Sequence, residues 1–170
     1  MLGAAAAFLR TLRLATPKIG VGWMFALLTI DFNRIAIVEM GVTAVVVTSM
    51  LAMHYFLSPF QVIVGRLADV KPIAGYRRTP YMLIGAVAAS AVFVALPTVA
   101  AAMGTGSIVW TLIGFLLFAV FGIAMAFIGD CYHSMIAEIT SEETRGGVIS
   151  VVWIVTILST ILAAVVMNAV

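Results

Sequence analysis

The side chains that could do chemistry in this 170-residue chain form three groups. The first is Asp31, Asn33 and Arg34, in which a carboxylate and a guanidinium stand three residues apart and share one face of an α-helix. Within a membrane such a pair lowers its own cost of burial. It then either fixes helix packing or offers a polar anchor to a bound ligand. The second is His54, set among Met50, Met53, Tyr55 and Phe56. A neutral imidazole there could hold the magnesium of a flat macrocycle through one ring nitrogen, with the other nitrogen held by an acceptor. Met and Phe would give the macrocycle a soft, adaptable surface. The alternative is a histidine hydrogen-bonded to a neighbouring helix. The third is a knot of charge, "VGRLADVKPIAGYRRTPYM" at 64–82, containing Arg66, Asp69, Lys71, Arg77 and Arg78. A carboxylate at one helix end can sit against the positive N-terminus of another helix and pair with nearby arginines, which makes the knot a latch; the alternative is a solvated basic loop.

Other chemistries find no support. The chain has no paired aspartate-rich clusters to hold a magnesium diphosphate, no Gly-rich phosphate loop and no Ser-His-Asp set, so no enzyme is expected. A metal site from Asp130, Cys131 and His133 fails because helical neighbours point about 100° apart; His133 fits better as a companion of Asp130. The single cysteine, Cys131, excludes an internal disulfide. A net charge of +2, scattered along the chain, gives no footprint for nucleic acid.

The elements that must carry these residues follow from composition. Hydrophobic residues make up 64% of the chain, charged residues 9%, and the mean hydropathy is +1.23. A soluble fold of this size has too little interior to hide that much apolar surface. Windows 40–65, 79–129 and 146–170 contain no Asp, Glu, Lys or Arg, and none alternates with the period of a barrel strand. The expectation is an all-α integral membrane protein with five transmembrane helices, at about 17–40, 43–65, 80–102, 108–133 and 141–168. Thr16 and Pro17 read as a helix start, Gly41 as a turn, Pro59 as a kink, and Thr140 with Glu143 as a capping box. Gly85 with Ala89 and Gly122 with Ala126 suit close helix contacts in lipid. Residues 1–16 lack the basic stretch of a signal peptide ahead of their apolar part. With Arg10 and Arg13 beside Leu9, Leu12 and Leu14, they read as a cytoplasmic segment that is either an amphipathic helix on an anionic membrane face or a disordered tail.

Orientation follows from the basic residues. Arg10, Arg13 and Lys18 precede the first helix; Arg66, Lys71, Arg77 and Arg78 separate the second and third; Arg145 separates the fourth and fifth. All fall on one side, which places the N-terminus in the cytoplasm and leaves Arg34 as the basic residue on the other face. Asp130 lies roughly 33 Å along the fourth helix, at its inner end. Asp69, Arg77, Arg78, Asp130 and Arg145 therefore form a candidate inner-face network.

Gly65-Arg66-Leu67-Ala68-Asp69 followed by Gly75-Tyr76-Arg77-Arg78 resembles the loop signature of the major facilitator superfamily, with Val70–Ala74 inserted and Val70 where a basic residue is common. That resemblance implies a latch between helix ends that also engages an acid at the inner end of the fourth helix, the position of Asp130. A closer resemblance rests on Asn33-Arg34, Glu39-Met40-Gly41-Val42, Ser58-Pro59-Phe60, the segment 75–81, and "AEITSEETRGGVISVVW" with Glu138, Arg145 and Gly146. Together these are similar to the PucC/LhaA family of light-harvesting assembly factors, built on the major-facilitator plan. The resemblance implies a protein of the bacterial inner, photosynthetic membrane that handles bacteriochlorophyll transiently, or chaperones antenna or reaction-centre polypeptides. His54, Asp31, Asn33 and Arg34 would be the pigment-facing residues. Such proteins carry about twelve helices. Five imply a truncated homologue, a fragment, or a subunit completed by a second chain. A small-molecule transporter and a structural subunit of a photosynthetic complex stand as the alternatives.

Overall fold

Every element among residues 2–169, which the computed structural model describes, is helical apart from one isolated bridge inside a turn. The chain opens with α1 (Leu2–Ala15) and α2 (Pro17–Ala26) and continues into two wider π-helical segments, π1 (Leu27–Phe32) and π2 (Ile35–Glu39). Then come α3 (Ala44–Phe56), α4 (Phe60–Val70), α5 (Thr79–Met103), α6 (Ile108–Ile139) and α7 (Glu142–Ala169). Among the described residues, four helices are long and apolar enough to cross a membrane, and a fifth is added when the bent pair α3–α4 is taken as one span. The protein is therefore a membrane protein. Side chains such as Val94, Leu116 and Leu162 are turned outward, as lipid as the surrounding medium permits.

The first span differs from the sequence expectation. It is helical over Ala7–Glu39, 33 residues or about 50 Å, and so exceeds a hydrocarbon core of roughly 30 Å. Thr16 does not cap a new helix at Pro17. Its backbone is helical (φ −55°, ψ −38°), and its hydroxyl donates back to the Arg13 carbonyl at 2.8 Å. The second expected helix is bent by 40° between Phe56 and Phe60. Pro59 has no N–H for the preceding turn, and the break closes instead through short bonds from Ser58 N to Tyr55 O and from Phe60 N to Leu57 O.

The chain divides into two units, one made of the segments up to Phe32 and from Ile139, the other of Asn33–Glu138. In the first, α2 lies against α7. A Cβ on Gly22 would come within 2.8 Å of the Thr156 carbonyl, so only glycine allows that approach. Across the contact, the Ser159 hydroxyl donates to Ile19 O (2.8 Å) and the Thr160 hydroxyl to Gly22 O (3.3 Å). Small residues and hydroxyls bind helices together in this way when no hydrophobic force distinguishes protein from lipid. In the second unit, a Cβ on Gly85 of α5 would lie 2.6 Å from the Ala124 carbonyl of α6. One on Gly122 would lie 3.0 Å from the His54 Cα. Val64 and Ala68 of α4, Tyr81 of α5, and Ala126 and Cys131 of α6 form a buried apolar cluster. It lies in the same turns of these helices as the charged residues of the knot.

Candidate functional site

The knot is organised by a tight turn. Lys71 N closes α4 on Leu67 O (2.9 Å), and the Tyr81 hydroxyl donates to Lys71 O at 2.7 Å, which ties the end of α4 to the first turn of α5. Ile73 and Tyr76 exchange both backbone hydrogen bonds at 3.0 Å around Ala74 and Gly75, whose φ angles are +52° and +81°. A two-residue turn with both central φ angles positive matches the twist of its flanks, and Gly75 meets that demand without strain. The turn delivers Arg78 to the position just before α5.

There the guanidinium acts as a clasp. Arg78 Nη2 donates to Asp69 Oδ1 at 2.6 Å and to Glu138 Oε1 at 2.7 Å. Arg78 is only 11% exposed, and each carboxylate is 51% exposed. Asp69 and Glu138 are the penultimate residues of α4 and α6. Negative charge at a helix C-terminus opposes the macrodipole, so each needs a cation, and one arginine serves both. Burial alone would lower the Arg78 pKa, but the hydrogen bond that Arg78 donates to Glu138 and the charges of Asp69 and Glu138 raise it above its ordinary value.

Asp130 completes the cluster one layer deeper. A Cβ on Gly65, one turn before Asp69, would fall on Asp130 Oδ2, so the glycine makes the space that the carboxylate occupies. Oδ2 is buried without a hydrogen-bond partner, as are Nε and Nη1 of Arg78. The charges of Arg78, Asp69 and His133 act on Asp130.

Of the expected network, then, Asp69, Arg78 and Asp130 come together. Arg77 is exposed on the turn. Arg145 belongs to the other unit, where it approaches the Thr140 hydroxyl and carbonyl at 3.4 Å. Glu138 and Gly65, which the sequence marks only through family resemblance, were not expected in this network. A carboxylate in the last turn of a helix, and a glycine within one, were the available signals.

The Asp31–Arg34 pair is replaced by another. Arg34 donates to Glu39 Oε1 at 2.6 Å, with the side chains 60% and 43% exposed. Spacing by three assumes an α-helix. In a π-helix the backbone bonds run from i to i+5, as in Met40 N to Ile35 O (2.9 Å), and residues five apart stack over one another. Asp31 is half-buried in π1; Asn33, between the π segments, has a buried Oδ1 with no hydrogen-bond partner.

His54 sits two residues before the end of α3. Its Nδ1 lies 2.6 Å from Leu51 O, and its ring stacks obliquely on Tyr55 with centroids 3.8 Å apart. An Nδ1–H donated to that carbonyl would put the other ring nitrogen's lone pair on Nε2.

A family model described as "PUCC protein" matches residues 31–170. "Protein PucC" of Rhodobacter capsulatus is 28% identical over 94% of this chain and 36% of its own length. "Protein PucC" of Cereibacter sphaeroides is 34% identical over 52% of this chain and 19% of its own. A protein of Rhodobacter capsulatus described as "Uncharacterized protein in puhA-bchM intergenic region" is 36% identical over 44% of this chain and 16% of its own. The chain thus spans about a third or less of the length of these relatives. No solved structure matches.

Proposed function

Because this chain belongs to the PucC family, we propose that it assists assembly of bacterial light-harvesting or reaction-centre complexes, without catalysing a reaction of its own. It works in the inner, photosynthetic membrane with its N-terminus in the cytoplasm. The observation that supports this reading most is the family match over 31–170, which takes in both the charge clasp and His54. Two routes to assembly suit the side chains. In one, His54 would hold a bacteriochlorophyll in transit by offering its magnesium an imidazole nitrogen, while Nδ1 faces Leu51 O. In the other, the outward apolar faces of α5, α6 and α7 chaperone antenna or reaction-centre helices. A second chain that completes the bundle is part of this reading.

The test is complementation. The chain is expressed in a phototrophic bacterium lacking its own PucC-type protein, and antenna absorbance is measured in isolated membranes. Recovery of antenna is expected, with pigment co-purifying in detergent and lost in His54→Ala. Membranes that contain the chain at normal abundance but no recovered antenna would refute the assembly role.

The clasp favours a second reading. Asp69 and Arg78 stand where a major-facilitator loop would carry its latch, so the chain is also a candidate for part of a small-molecule transporter. Substrate counterflow in vesicles that depends on Asp31 or Arg34 would favour transport, and stoichiometric recovery with mature antenna rings would favour a structural subunit.

A further inference from the structure

We propose that the cleft between α1 and the start of α7 is a binding site for the headgroup of an anionic phospholipid. Within their own unit, these elements enclose a cleft of about 650 Å³. Its α1 wall is Ala7, Arg10, Thr11 and Leu14, a stripe at i, i+3, i+4 and i+7, with Arg13 beside it. Thr140 and Thr144 face that stripe, and Ile139 and Val148 supply the apolar remainder.

The chemistry is that of a phosphodiester with hydrocarbon attached. Arg10 and Arg13 offer planar, permanently charged forks that suit phosphate oxygens. Among the described residues neither is paired with a carboxylate, in contrast to Arg34 and Arg78. The cleft also lies near the N-terminus of α7, whose first turn carries Glu142 and Glu143, so Arg10 and Arg13 and not the helix end must supply the attraction for an anion. Leu14, Ile139 and Val148 would line the first methylenes below the glycerol. A free phosphate would leave that apolar lining unused, which is why a lipid is the occupant that matches the whole lining.

The contrast with a diffuse basic patch decides the experiment. A patch would attract any anionic surface in proportion to charge, and Arg66 and Lys71 would serve as well as Arg10 and Arg13. The full chain is purified in neutral detergent, and binding is measured by native mass spectrometry with phosphatidylglycerol, with phosphatidylcholine of the same acyl chains, and with inorganic phosphate. Phosphatidylglycerol is expected to bind, the other two to bind far more weakly, and R10Q/R13Q to weaken phosphatidylglycerol roughly thirty-fold, at the usual contribution of one cation near an anionic lipid surface. R10K/R13K should keep most of the affinity, which separates lost charge from lost fold, and R66Q/K71Q should keep all of it. The proposal is overturned if R10Q/R13Q binds like the parent, if R66Q/K71Q loses as much, or if phosphatidylcholine or inorganic phosphate matches phosphatidylglycerol. None of these readouts needs pigment or antenna, so the outcome is independent of the assembly role.

Discussion

Replacing Arg78 with glutamine removes the cation from the junction of α4, α5 and α6 while keeping side-chain length and some hydrogen-bonding capacity. Two charge-assisted bonds disappear, at 2.6 and 2.7 Å. Each would contribute about 1.5–3 kcal/mol when fully shielded from water. Both carboxylates are half exposed, and solvent screening cuts the estimate to about 1 kcal/mol each, or about 2 kcal/mol together. Asp69 and Glu138 then lose the cation they share, and Asp130 loses the influence of the same charge, which pushes the loss upward. A fully buried broken pair, at about 3–5 kcal/mol, sets the ceiling. The expected destabilisation of Arg78→Gln is therefore about 2–3 kcal/mol. Unfolding in mixed micelles would measure it, with Trp110 fluorescence as the signal in a Trp23→Phe, Trp153→Phe background, so that the report comes from the unit containing the clasp. Arg77→Gln is the control, since Arg77 is exposed and should change stability by less than about 0.5 kcal/mol. The Arg78 pKa is raised, so its contribution is present below the ordinary arginine value and lost only as pH rises through the higher folded one. The increment should thus be unchanged between about pH 6 and pH 9. If Arg78→Gln and Arg77→Gln unfold alike, the clasp does not hold these helix ends together.

Two further outcomes follow from the same structure. Gly85→Ala should destabilise the unit by about 1–3 kcal/mol in the same assay, because the added methyl would meet the rigid Ala124 carbonyl of α6. Arg34→Gln should change it by no more than about 1 kcal/mol, since Arg34 and Glu39 are both well exposed in the structure.

How far the sequence carried the site can be seen residue by residue. Asp69 and Asp130 could be placed together because each stands at a countable distance along a long apolar run, and rise per residue converts count to depth. The choice between Arg77 and Arg78 could not be made that way. Adjacent residues differ by a turn of backbone, and here the positive φ angles of Ala74 and Gly75 decide which arginine caps α5. Glu138 escaped because nothing local ties residue 138 to residue 78; only the packing of α6 against α5 does. Asp31 and Arg34 went astray for a different reason. Their pairing assumed α-helical spacing, and a switch to π-helix changes which residues are neighbours without leaving a clear mark in composition.

Apolar content and the placement of charge were enough, by themselves, to establish that this chain lives in lipid as helices joined by basic turns. A medium without water forces every backbone group to bond within its own segment, and that demand is met one helix at a time. Which residues meet across helices was left to the tertiary structure: the three carboxylates gathered round Arg78, the glycines that let backbones touch, and the cleft beside Arg10 and Arg13. Such contacts depend on sub-ångström differences in helix approach and on the local pitch of the backbone, and these are properties of the packed whole.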